Sequence, residues 1–242
     1  MFGFQLSISR VGSTVNFLVM GPLYDLMVQH MDSAPALGWS LMTAAVWTLL
    51  SLLCSLILAT IDRRREKSGV SSGSSSEQNI KLADIKQLPA TFWLLCLATL
   101  AYYGSVFPFI SLGQGLFRAE YNMTPQDGNF LIGLVYLVSA IFSPAFGLIL
   151  DKYGKNLSWM SGSLLVSILA HCGLIFSFTS PHVPIVIIGL AYSVLASALW
   201  SIPAVIVRES QLATAFGIMQ VSQSAFIQTS DARTSLVMAL SF

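Results

Sequence analysis

Long apolar runs alternate with short polar breaks along the 242-residue chain, and one break is far longer than the rest. The runs cover Phe2–Leu26, Trp39–Ile61, Thr91–Leu116, Phe130–Leu150, Leu157–Phe178 and Val183–Val207, and another begins at Leu212. A helix that crosses the hydrocarbon core of a bilayer needs about 20 mostly apolar residues. Lipid offers backbone N–H and C=O groups no partner, so each spanning segment must bond within itself. Runs this long also exceed ordinary strands. The pattern predicts an all-α, polytopic membrane protein.

The long break, Asp62 to Ala90, begins DRRREK and continues SSGSSSE. Basic, then rich in Ser and Gly, and without apolar periodicity, it predicts a flexible linker between two bundles, with a short helix over Ile80–Lys86. The expected domains are residues 1–61, the linker 62–90, a bundle over 91–224 and a divergent tail over 225–242, where Asp231 and Arg233 interrupt an apolar stretch. Positive charge sets the sidedness. Arg63, Arg64, Arg65, Lys67, Lys81 and Lys86 lie in the linker, Lys152 and Lys155 follow the fourth run, and Arg208 follows the sixth. These three regions alternate correctly to share the cytoplasmic face. The opposite loops hold Asp25, Asp32, Glu120 and Asp127 but only one basic residue, Arg118. The sequon Asn122-Met123-Thr124 falls on that far side, which makes Asn122 a candidate for glycosylation.

Composition agrees with the pattern. The chain is 55% hydrophobic and 10% charged, against about 25% charged in a soluble domain. A net charge of +1 gives no reason to expect a nucleic-acid partner. Cys54, Cys96 and Cys172 all sit in apolar runs without CxxC spacing, as packing residues do. No Ser/His/Asp set, metal cluster or phosphate loop appears, so neither an enzyme nor a cofactor is expected. The N-terminus has no basic region preceding an apolar core, so no cleavable signal is expected.

Arg10 is the exception to the apolar rule, a charge in the middle of the first run. A guanidinium keeps its charge at any cellular pH. Near mid-bilayer it costs at least about 2.5 kcal/mol, so it is expected to face a polar cavity. Gly3, Ser7, Ser13 and Thr14 share its helical face at three- and four-residue spacing, with Phe17 a turn further. A fork of N–H donors suits a carboxylate. Ser13 and Thr14 are therefore candidates for the substrate site beside Arg10. Tyr102, Tyr103 and Trp200 are candidates for its walls, each offering a ring with a polar edge. Gly104 with Pro108 allows a bend in the third run. Tyr192 accompanies Trp200 on the sixth run, Asn16, Gln220 and Gln223 are weaker candidates, and His171 reads as a packing residue before a proton relay. Asp25 stands at the very end of the first run, and no Asp or Glu falls in the interior of any run. That suits a passive carrier better than one driven by protons.

Between the fourth and fifth runs stands GLILDKYGKN, Gly147 to Asn156. It resembles the G-x-x-x-D-[RK]-x-G-[RK] signature of the major facilitator superfamily, with Gly147, Asp151, Lys152, Gly154 and Lys155 in the signature positions. The physics suits a cytoplasmic gate: Gly147 permits close helix approach, Gly154 permits a tight turn, and the lysines hold the loop at the surface. The resemblance implies a partial facilitator fold of six to seven of twelve helices. The runs would be helices 5 and 6, then 7 to 10 and the start of 11, as in a fragment or an alternative product. FGFQLSISRVGSTVN, YYGSVFPFISLG, SPAFGLILDKYGKN, LAYSVLASALW and QLATAFGIMQ narrow it. They resemble the branch of lysosomal dipeptide transporters, over about residues 1 to 223. That resemblance implies a uniporter in the lysosomal membrane that moves small peptides to the cytosol, with Arg10 on the peptide carboxylate. It further implies a heavily glycosylated accessory membrane protein as partner, and it is compatible with a homodimer. The acidic residue expected for the peptide amine lies on helix 4, and the sorting signal lies in the N-terminal tail; neither is in this sequence. A carrier of another small organic anion, or a truncated product that transports nothing, are the alternative readings.

Overall fold

The computed structural model describes residues 2–67, 85, 87–176 and 180–224, all helix or short connection and with no strand among them. The helices are α1 (Phe2–Val28), α2 (Ser33–Lys67), α3 (Ala90–Tyr121), α4 (Pro125–Tyr153), α5 (Asn156–Phe176), α6 (His182–Ser201) and the single turn α7 (Pro203–Ile206). A 3₁₀ turn at Glu209–Gln211 leads into a helix over 212–224. Among the described residues six helices are long and apolar enough to cross a membrane. The chain is a multi-pass membrane protein of the all-α class. The short helix expected over Ile80–Lys86 lies outside the described residues except for Ile85, and Asp231 and Arg233 lie wholly outside them.

Most helix ends differ from those of the apolar runs, and two of them show a physical reason. Helices extend past the runs where polar residues cap them. Thr124 caps α4 with its hydroxyl, accepting from the Asp127 N–H at 3.2 Å, and Pro125 opens the first turn. The last run is not one helix. Pro203 has no N–H to continue the ladder of α6, so α6 stops at Ser201 and Val207 is extended at φ −111°. Gly104 and Pro108, which allow a helix to bend, both lie inside the continuous α3.

By contacts the chain forms two units, Met1–Leu18 with Ile80–Phe242, and Val19–Asn79. The smaller contains α2, whose large apolar side chains are exposed on every side, as lipid-facing residues are. Its Ser40, Thr43, Thr48 and Thr60 hydroxyls donate to carbonyls three or four residues back, which gives each of the four a partner within the helix.

The larger unit is a packed bundle. α4 and α6 run side by side in the same direction, and Gly189 makes this possible: a Cβ there would lie 3.0 Å from the Val135 carbonyl oxygen. α5 packs on α6. α3 is tied to α5 by the Tyr121 hydroxyl, which donates to the Leu174 carbonyl at 2.9 Å. The first half of α1 lies antiparallel along α4. Their seam runs from Gly3 against Gly147, through Ser7 donating to the Ala140 carbonyl, to Phe17 stacked on Tyr136 at 5.6 Å. Phe92, Phe117, Leu131, Val135, Ile185, Ile188 and Leu195 fill the interior.

Candidate functional site

Arg10 lies midway along the α1–α4 seam and is 4% exposed. Its Nη1 donates to the hydroxyls of Ser139 and Ser143 on α4, the latter at 2.5 Å. Ser143 Oγ is 2.9 Å from Ser193 Oγ on α6. The guanidinium carbon sits 4.2 Å from the centre of the Tyr192 ring. All these partners are neutral. Hydrogen bonds to a charged group contribute about 1.5–3 kcal/mol each, and a desolvated cation–π contact about 2 kcal/mol. Together they offset an insertion cost of about 2.5–3.5 kcal/mol while leaving the positive charge uncancelled.

That charge borders a cavity of ≈ 680 Å³, within the size range of small-molecule sites. α1 lines it with Gln5, Leu6, Ser9, Arg10 and Ser13; α3 with Tyr103 and Phe107; α4 with Tyr136; α6 with Tyr192 and Trp200; and the 212–224 helix with Phe216, Gly217, Gln220 and Gln223. The cavity has two poles. At one, Arg10 and the tyrosines meet. At the other, Trp200 stacks on Phe216 at 6.3 Å and its Nε1 donates to the Tyr103 hydroxyl at 3.3 Å, with two glutamine amides nearby. No carboxylate lines the wall among the described residues. A second hollow of ≈ 660 Å³ lies between α5 and α6. Apart from Lys155 and two serines its lining is apolar or aromatic, and no buried charge enters it.

The structure thus brings Arg10, Ser13, Tyr103 and Trp200 together and leaves Thr14 and Tyr102 outside the lining. The Thr14 hydroxyl donates to the Arg10 carbonyl at 2.9 Å on its own helix. Tyr102 stacks behind Tyr192 at 6.2 Å. Gln220 and Gln223 reach the cavity, whereas Asn16 is exposed elsewhere. The Nδ1 of His171 is 2.7 Å from the Ser167 carbonyl on its own helix, and its ring meets Phe109 edge-on. Gln5, Ser9, Tyr136 and Phe216 were not singled out by sequence. A heptad-like count from Arg10 selects the face that meets α4, not its flank.

In the signature loop, Gly147 meets Gly3 directly: a Cβ on Gly147 would lie 3.0 Å from the Gly3 Cα. Gly154 and Lys155 both take left-handed conformations, φ 64° and 55°, and the Gly154 N–H closes α4 on the Leu150 carbonyl at 2.9 Å. Asp151, Lys152 and Lys155 are exposed, and the Lys152 ammonium lies 5.5 Å from the Tyr153 ring centre. Asn122 is exposed and left-handed at φ 51°, between α3 and the Thr124 cap. Among the described residues no group of three or more His, Cys, Asp or Glu could hold a metal.

A sequence profile of the Major Facilitator Superfamily matches residues 1–227. Similar proteins include the lysosomal dipeptide transporter MFSD1 of Gallus gallus, 39% identical over 227 residues, and those of Danio rerio and Homo sapiens, each 39% identical over 226. Each match covers 93% of this chain, and 51%, 49% and 49% of the respective relatives. The chain therefore spans about half the length of the relatives it matches.

Proposed function

Because the chain belongs to the major facilitator superfamily, we propose that it forms part of a carrier for small peptides, with the ≈ 680 Å³ cavity as its substrate site. The observation that supports this most is Arg10: a buried guanidinium held by neutral partners, at the edge of a cavity deep in membrane-spanning helices. A peptide carboxylate supplies the missing negative charge. The Trp200–Phe216 stack and the glutamine amides suit an apolar side chain and a peptide bond. The relatives' names point to dipeptides and to the lysosomal membrane, and both are carried over here as part of the proposal. In this reading α1 and α2 are helices 5 and 6, α3 to α6 with α7 are helices 7 to 10, and 212–224 begins helix 11. Lys152 and Lys155 then face the cytoplasm, and transport runs passively, since no titrating carboxylate lines the described wall.

The test is thermal stabilisation of the reconstituted protein by a dipeptide and by its C-terminal amide. The dipeptide stabilises strongly and the amide weakly. Arg10→Ala weakens dipeptide binding by about 30-fold to a few thousand-fold, the equivalent of about 2–5 kcal/mol for unpairing a buried charge. Equal responses to acid and amide would remove the basis for the reading. Stabilisation by a monocarboxylate but not by a dipeptide would favour a second reading, carriage of another small organic anion.

A further inference from the structure

Most hydroxyls in these helices are spent on their own backbone. Thr14, Thr99, Ser163 and Ser201 each donate to a carbonyl three or four residues back. Ser139, Ser143 and Ser193 behave differently. All three are fully buried at 0% exposure, and their hydroxyls meet Arg10 or each other. None of them lines the cavity.

The stoichiometry of the guanidinium gives this arrangement a meaning. It has five N–H donors, two on each Nη and one on Nε. Ser139 and Ser143 both accept from Nη1, so that nitrogen is used up. The three donors left belong to Nη2 and Nε. Two of them, one from each nitrogen, run parallel along a single edge, the geometry that matches both oxygens of a carboxylate. The Tyr192 ring, 4.2 Å from the guanidinium carbon, fills the space between the group and α6.

We propose that Ser139 and Ser143, with Ser193 behind them, are positioning residues that occupy Nη1 of Arg10 and thereby present its Nε–Nη2 edge to one carboxylate in the cavity. The proposal rests on the anion-binding reading above and adds the means by which one orientation of the arginine is selected. Without the serines the guanidinium turns about its terminal bonds. It then meets an anion through one donor at a time.

The experiment measures dissociation constants of a dipeptide and its amide by calorimetry, with the protein in lipid nanodiscs. Four forms are compared: the unaltered protein, Ser139→Ala/Ser143→Ala, Arg10→Ala and the triple variant. The double serine variant loses about tenfold or more in affinity for the acid and none for the amide, and in the Arg10→Ala background the serine changes have no further effect. Ser193→Ala, which leaves both Nη1 contacts in place, gives a smaller loss of the same kind and serves where the double variant does not fold. Unchanged affinity for the acid in the serine variants overturns the proposal, as does an added loss in the Arg10→Ala background. Undiminished binding by Arg10→Ala alone overturns the anion-binding reading itself.

Discussion

Replacing Gly147 by alanine tests the α1–α4 seam at its tightest point. The new Cβ would stand 3.0 Å from the Gly3 Cα and 3.4 Å from the Gly3 nitrogen. Carbon atoms rest at about 3.5–4.0 Å, so the helices must part by roughly 0.5–1 Å. Both atoms met by the methyl group are backbone, and no rotamer change can relieve the contact. A gap of about 0.5–1 Å forfeits a quarter to a half of each dispersion contact on either side of it. Overpacking of this kind costs about 1–3 kcal/mol, or about 5- to 150-fold in the balance between a closed and a parted seam. Gly3→Ala is the more severe change, since its Cβ would stand 2.5 Å from the Ser143 carbonyl oxygen as well. The assay is cross-linking of an engineered pair, Ser7→Cys with Ala140→Cys, chosen because the Ser7 hydroxyl already reaches the Ala140 carbonyl at 2.5 Å. Gly147→Ala slows cross-linking at least about fivefold, and Gly3→Ala slows it further. Unchanged cross-linking and melting in both variants would mean that the seam is looser than this geometry requires.

Two further substitutions separate local roles. Thr14→Val removes a hydroxyl bonded to its own helix, so dipeptide affinity stays within about twofold; a tenfold loss would place Thr14 in contact with substrate. Thr124→Ala removes the cap of α4 and lowers stability by about 0.5–2 kcal/mol, measured by thermal melting, with faster amide exchange at residues 126–128. Exchange unchanged there would show that Pro125 alone fixes the start of the helix.

The sequence carries much of this fold because lipid leaves a chain few options. An apolar run of sufficient length is a helix, and a charge inside one needs an explanation, so α1 to α6 and Arg10 could be read directly. Helix ends were less legible, since hydropathy registers the hydrocarbon layer while Thr124 and Pro125 start a helix in polar surroundings. The site was legible where a residue has one possible use. Trp200 and Tyr103, aromatic and polar-tipped, reached the cavity. Serines and threonines were read unevenly, Ser13 reaching the cavity and Thr14 not, because each hydroxyl can bond its own helix or a neighbour and only packing decides. That is why Thr14 was a reasonable candidate, and why Ser139, Ser143 and Ser193 carried no signal. Gln5 and Ser9 escaped for a related reason: Arg10 is long enough to root in the seam and still border a cavity on its flank.

Tyr192 touches side chains from three other helices at once: Arg10 of α1, Tyr102 and Tyr103 of α3, and Tyr136 of α4. A ring with so many neighbours cannot swing for one of them alone. A cation resting on that phenol is therefore braced by side chains of three helices rather than by its own α1 alone.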